Sequence, residues 1–348
     1  MTVGREPAPV ELTQFAPRRS RFVALQLLVA LLAVVPIIYA MPRGLDVSFD
    51  SIQYLSAGRN LLAGRGLSVF DSPGRLRPMT HFPPLYPTML AAFGAICGDV
   101  ARGAWVLNLV ATAATVLLVA RLAQRVAGGD GRAGVWAAVL AGVATAMAND
   151  LAVNATMLWS EPLFIVLVVV TAGLLIGSTE RESAASLRGD TSLVFAALAA
   201  GACALTRYAG IAIIGGGVFA LLLASRLALK ARVRRAAVFG AISTAPLLVC
   251  LLYNQVRAGT ATDRDLSVRS ISRDELWVGL ETLSRWVLPY DPTDSIRMLV
   301  ALFIAGLIAY VVRETLRRSG ATPGRGGSMG HHRRAGPARG AQSSYYRS

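Results

Sequence analysis

The sequence predicts an all-α, polytopic transmembrane protein with about eight spans, and three observations carry that prediction. Of its 348 residues, 54% are hydrophobic and 16% charged, well below the roughly one quarter of charged residues found in soluble chains. The apolar residues come in runs that match the roughly 17 to 25 residues needed to cross a hydrocarbon core. Lys and Arg number 35 against 20 Asp and Glu, and the basic residues cluster in short segments between apolar runs. That pattern sets topology and does not require a nucleic-acid partner.

The first run, Phe22 to Met41, follows Arg18, Arg19 and Arg21 and lacks a small-residue cleavage site. It reads as a retained signal anchor. Further spans are expected near 103–123, 133–149, 159–178, 191–206, 208–225, 236–254 and 296–312. The fifth and sixth meet at Arg207 and Tyr208, as a tight helical hairpin or as one interrupted segment. With the N-terminus cytoplasmic, the inner segments hold Arg121, Arg125 and Arg132, then Arg226, Lys230, Arg232, Arg234 and Arg235, then Arg313, Arg317 and Arg318. The outer loops, 42–102 and 255–295, mix acids with bases instead. The organisation is thus a cytoplasmic N-terminus at 1–21, a membrane module at 22–312 and a basic tail at 313–348. The end of that tail, rich in Gly, Arg, Ser and Ala without periodicity, reads as disordered, and an even number of spans places it in the cytoplasm.

Both outer loops carry helical patterns. After Asp50, Ile52, Leu55 and Leu62 recur at helical spacing among Gln53, Arg59 and Asn60, as in an amphipathic helix at a membrane surface. Asp274 to Leu288 repeats the pattern, with Trp277 and Trp286 suited to the interface. Cys97, Cys203 and Cys250 lack metal or redox spacing and read as packing residues.

Four features are candidates for chemistry. Asp46 and Asp50 follow the first span directly, either as ordinary loop carboxylates or as functional ones. Thr80 to Leu90 holds His81 and a pair of prolines, which suit the start of a helix for geometric reasons alone. Glu161 stands at the outer end of the fourth span, where an acid is costly unless solvated or paired; the plainer reading is a first-turn charge beside Pro162. Arg207 lies at an outer turn between apolar helices, where it either snorkels or offers a fork of donors to a phosphate. Asp50, His81, Glu161 and Arg207 all fall on one side of the membrane in this topology.

Taken in order, DSIQYLSAGRNLLAGRGL from Asp50, HFPPLYPTMLAAF from His81, SEPLF from Ser160 and LTRYAGIAII from Leu205 resemble the membrane-bound C-type glycosyltransferase (GT-C) superfamily, specifically dolichyl-phosphate-mannose protein mannosyltransferases and the aminoarabinose transferases of lipid A. The resemblance covers about residues 22 to 230. It implies a GT-C-like fold and an enzyme of the plasma (inner) membrane that moves a sugar from a polyprenyl-phosphate donor to an acceptor hydroxyl of a glycan, lipid or protein at the outer face. Asp50 matches the general base, with Asp46 the neighbouring alternative. Arg207 is the expected partner of the leaving phosphate, and His81, Glu161, Tyr54 and Arg59 complete the expected donor-phosphate and substrate-binding set. Family members often carry a basic residue directly before the PPL motif, where this chain has His81 and Phe82. Glu161 either orients the acceptor or assists a divalent cation; no cofactor is demanded, and metal dependence varies across the superfamily. Relatives commonly have eleven or more spans and a soluble outer domain, so a minimal enzyme, a truncated product and an inactive relative serving as an envelope scaffold stay open. A transporter is the rival of another class. It calls for ionisable residues near the bilayer midplane and internal repeats, and neither is evident. The Arg-rich ends are accounted for by topology and anionic lipid, without nucleic acid.

Overall fold

The computed structural model describes residues 19–72, 74–180, 190–224, 228–264, 272–287 and 293–320. Most of the expected N-terminal segment 1–21 and the tail beyond 320 lie outside the described residues.

The expected apolar runs fall on helices. α1 (Arg19–Leu32) and α2 (Val35–Ala40) share the first run, with a proline in the first turn of α2. Residues 41–99 hold α3 (Phe49–Leu62), an antiparallel hairpin of β1 (Ser68–Ser72) and β2 (Arg75–Pro78), and the apolar α4 (Leu85–Cys97). α5 (Val100–Val126) spans about 40 Å at 1.5 Å per residue. α6 (Arg132–Ala146) and α7 (Asn149–Thr156) are bent by 50° at their junction. α8 (Glu161–Glu180) follows, then α9 (Thr191–Thr206) and α10 (Ile211–Leu223), joined through Arg207 and a 3-10 turn, Tyr208–Gly210. α11 (Leu229–Ala258), α12 (Arg273–Val287) and α13 (Asp294–Gly320) complete the order. The chain divides into two compact units, Met1–Phe303 and Ile304–Ser348, of which the second begins within α13.

Among the described residues, four helices are long and apolar enough to cross a membrane, or five if the bent α6–α7 pair is one span. Leu248, Val249 and Leu252 on α11 stay exposed, as expected of a face turned to lipid. The chain is a membrane protein. By length the structure supports four or five spans where about eight were expected. The shortfall has a physical reason in α9, whose 16 residues reach about 24 Å against a hydrocarbon core of about 30 Å. Its Ala196, Ala197, Ala200 and Ala204 are fully buried in a core shared with α10 and α11. A helix sheathed by neighbours has its ends covered by protein and need not match the bilayer.

The segment from α3 to the start of α5 has its own core. Tyr54, Ala57, Val69, Met79, Phe82, Tyr86, Leu90 and Val100 pack together where α3, the hairpin, α4 and α5 meet. α3 forms as expected, but the face it turns to the protein is Ser51, Tyr54, Ala57, Gly58 and Asn60, while Ile52 and Leu62 stay exposed. α4 and α5 touch backbone to backbone, since a Cβ on Gly103 would stand 2.5 Å from the Gly94 nitrogen. Asp99 caps α5 by accepting from the Ala101 and Arg102 amides at 2.8 and 3.0 Å, and these bonds and the nearby guanidinium groups hold its carboxyl below the usual range.

The far ends of the long helices hold a separate polar layer. Arg235 on α11 is fully buried, pairs with Asp190 at 2.6 Å and donates to the Ser178 carbonyl at 3.0 Å. The Glu161 end of α8 therefore lies opposite the Asp190–Arg235 pair.

Candidate functional site

The site is assembled on the link between α7 and α8. Asn108 of α5 is fully buried and donates to the carbonyls of Ala155 and Met157 at 3.0 and 2.8 Å. The same link pairs with the segment just before α3: the Asp46 amide donates to Thr156 O and the Leu158 amide to Asp46 O, each at 2.9 Å. Ser48 and Ser51 form a reciprocal capping box at the start of α3. Both also reach across to the link. Ser51 Oγ donates to the Leu158 carbonyl at 2.9 Å, and Trp159 Nε1 donates to Ser48 Oγ at 2.8 Å. The first turn of α3, which carries Asp50, is thereby pinned against residues 156–160.

Asp50 is exposed, and its carboxylate has neither a hydrogen bond nor an ion pair among the described residues, as is true of the Asp46 carboxylate. The α3 N-terminus, with its positive dipole end, suits a negative charge at position 50.

Arg207 ends α9 in an extended conformation, φ −148° and ψ 137°. The turn behind it is tight enough that a Cβ on Gly210 would stand 2.3 Å from the Ala204 nitrogen. This turn aims Arg207 at the start of α8. Its guanidinium forms an ion pair with Glu161 and donates to Ser160 Oγ at 3.1 Å. Ser160, fully buried, lies 3.3 Å from the Tyr54 hydroxyl. The Tyr54 ring packs on Phe82 at 4.6 Å and edge-on to Tyr86 at 4.8 Å between centroids. Burial pushes the Tyr54 hydroxyl up to about 12; its bond with Ser160 and the Arg207 charge oppose the rise, and the Glu161 and Asp50 carboxylates add to it. The hydroxyl stays protonated at neutral pH, with the charges of positions 50, 161 and 207 gathered around it.

The expected site residues divide accordingly. Tyr54, Glu161 and Arg207 form one connected cluster, with Asp50 in electrostatic reach. His81 lies beyond Phe82 and turns Nδ1 to the Asp263 carbonyl at 3.3 Å as an N–H donor. Arg59 sits about 13 Å further along α3 than Asp50, loosely paired with Asp99 at 3.9 Å, both side chains largely exposed. Among the described residues no three His, Cys, Asp or Glu side chains gather to hold a metal.

Sequence reading missed the connecting groups: the reach of Ser48 and Ser51 across to the link, Ser160 as the junction of Tyr54 and Arg207, Asn108 as the support beneath, and the segment 259–264 that folds back over His81. The S-x-x-S spacing at 48–51 was a readable capping signal. The others depend on contacts between residues far apart in sequence. Beside the cluster a groove of about 470 Å³ runs between the hairpin and α11, walled by Leu205, Val249 and Tyr253 and carrying Arg65, Arg77 and Arg257.

No protein-family model matches the sequence, and no curated protein matches it. A solved structure does: the archaeal oligosaccharyltransferase AglB from Archaeoglobus fulgidus, in complex with an inhibitory peptide and a dolichol-phosphate, superposes with a TM-score of 0.53 at 16% identity. The fold resembles that of this archaeal protein. The superposition covers 86% of this chain and 38% of the archaeal one, so the chain spans well under half the length of that protein. At this identity the likeness concerns the fold, and the chemistry rests on the residues of the cluster.

Proposed function

We propose that this chain is a membrane glycosyltransferase that moves a sugar from a polyprenyl-phosphate carrier to an acceptor hydroxyl at the outer face of the plasma membrane. The observation that carries the reading is the gathering, at one end of the helices, of an unpaired carboxylate, Asp50, with a guanidinium, Arg207, that is held by Ser160 and Glu161. Asp50 accepts the proton of the acceptor hydroxyl as its oxygen attacks the anomeric carbon. The carbon–oxygen bond to the carrier breaks as the new one forms, the electron pair leaves with the phosphate, and inversion results. Arg207 faces the charge that develops on the departing phosphate oxygen. Glu161 holds Arg207 in place. Tyr54 and Ser160 supply neutral hydrogen-bonding groups beside it.

The archaeal neighbour was captured with a dolichol-phosphate and a peptide, which supports a lipid-phosphate donor and a separate acceptor here. The groove between the hairpin and α11 has the chemistry of an isoprenoid seat, apolar along α11 and basic at its rim. The distribution of Lys and Arg supports cytoplasmic termini, an outward-facing site and a membrane module over 22–312.

The test is transfer of radiolabelled sugar from a panel of polyprenyl-phosphate sugars in membranes containing wild type or Asp50→Asn at matched expression. The expected result is label on an acceptor that depends on Asp50. Wild-type turnover retained in Asp50→Asn removes this mechanism, and no label from any donor with folded protein favours a non-catalytic scaffold.

A further inference from the structure

Two arginines at the cluster have their charge offset by carboxylates. Arg77 pairs with Asp263 at 3.0 Å and Asp71 at 3.4 Å, and Arg207 pairs with Glu161. Arg264 differs. Its Nε–H donates to the His81 carbonyl at 3.1 Å, and its guanidinium carbon stands 5.6 Å from the ring centroids of both Phe82 and Tyr208. No carboxylate pairs with it among the described residues. A guanidinium has five N–H donors, and among the described residues one of them is hydrogen-bonded, on an exposed side chain whose planar group is oriented by two aromatic rings.

The placement is built. Phe82, under Arg264, packs on Tyr54, whose hydroxyl leads through Ser160 to Arg207. Tyr208, the other ring, follows Arg207 directly and donates its hydroxyl to the Thr80 carbonyl at 2.9 Å. The residue before Arg264 is tied down twice: the Asp263 carboxylate meets Arg77, and the Asp263 carbonyl accepts from His81. Asp263 has φ +48°, a conformation that a residue with a side chain adopts at a cost. These ties hold a cation that no described carboxylate pairs one aromatic layer from a cation that is already paired.

We propose that Arg264 is the second phosphate-binding residue of the donor site, the group that supplies the net positive charge Arg207 lacks once tied to Glu161. Its ligand is a phosphate ester on an apolar chain, held by the free edge of the guanidinium through paired N–H···O bonds. This rests on the lipid-phosphate donor argued above.

Binding of decaprenyl phosphate, decaprenol and inorganic phosphate to the full chain in detergent micelles tests it, using wild type, Arg264→Gln, Arg264→Lys and Asp263→Asn. Gln keeps a donor for the His81 carbonyl and loses the charge; equal elution on size exclusion and equal thermal unfolding show that each variant is folded. Arg264→Gln is expected to weaken decaprenyl phosphate about tenfold to a hundredfold, the worth of a charge-assisted hydrogen bond, with Lys recovering part and decaprenol unchanged. Asp263→Asn gives the sign. If Arg264 acts through its charge, removing a nearby negative charge leaves affinity equal or tighter; if Arg264 only pins the segment, Asp263→Asn weakens binding as Arg264→Gln does, and the proposal falls. It also falls if Arg264→Gln binds as wild type, or if inorganic phosphate binds as tightly as decaprenyl phosphate, which marks a free-anion site. Wild type that binds no decaprenyl phosphate overturns the donor reading itself, a result distinct from the others.

Discussion

Replacing Arg207 by Gln separates what that residue does for the fold from what it does for chemistry. The Arg207 and Glu161 side chains are 36% and 28% exposed, so their ion pair is partly screened by solvent. A pair of that exposure contributes on the order of 1 kcal/mol or less to stability. Ser160 keeps Tyr54 as a partner after the change, so no buried hydroxyl is orphaned. The loss in thermal stability is therefore expected to be a few degrees at most. Loss of a fixed donor at the developing charge is larger, about 3 kcal/mol, a fall of roughly a hundredfold to a thousandfold in turnover. The assay is sugar release from a polyprenyl-phosphate donor in micelles, run on the preparation used for thermal unfolding. Arg207→Lys keeps the charge without the fork and should fall between. Turnover of Arg207→Gln within about threefold of wild type refutes the reasoning, as does a loss of activity that simply tracks unfolding.

Three further outcomes are expected. Asn108→Leu removes both bonds to the Ala155 and Met157 carbonyls and should cost about 2 kcal/mol in chemical unfolding, with reduced turnover because the link under Asp50 loosens. Asp190→Asn keeps a cap for α9 but removes the carboxylate facing buried Arg235; it should destabilise by roughly 3 kcal/mol while leaving donor affinity unchanged, since that pair lies at the opposite ends of the helices. Tyr54 has a pKa raised to about 12 in the folded protein, so its stabilising share is complete below pH 10 and is lost as pH climbs from about 10 toward 12. The stability difference between wild type and Tyr54→Phe should shrink over that window and stay level below it.

The apolar runs named the helices well. The stretch expected at 159–178 overlaps Glu161–Glu180 over all but its first two residues, and the helix expected over Asp274 to Leu288 coincides with Arg273–Val287, Leu288 itself lying outside the described residues. Glu161 and Arg207 were legible as candidates because an acid or arginine at the end of an apolar run is unusual; Tyr54 entered only through the resemblance to the glycosyltransferase motifs. Their contact through Ser160 was not legible, since a serine before a helix reads as an ordinary start signal. Nor was the inward face of α3. Ile52 and Leu62 have the hydrophobicity of a core, but in a membrane protein an apolar side chain is equally at home against lipid, so hydrophobicity no longer says which side is inside.

Composition and local pattern settled what depends on neighbours in the chain: that the protein is helical and a membrane protein, and roughly where its apolar helices fall. Transfer of apolar segments out of water and the capping of backbone groups are both local, so they are written in the order of residues. Tertiary structure decided the rest. It brought Ser51 against Leu158, Ser160 against Tyr54 and Arg207, and Arg264 against His81, over separations of 107, 106, 47 and 183 residues. Those contacts follow from how helices of different length pack, and from where tight turns such as Gly210 aim the chain, and no local pattern encodes either.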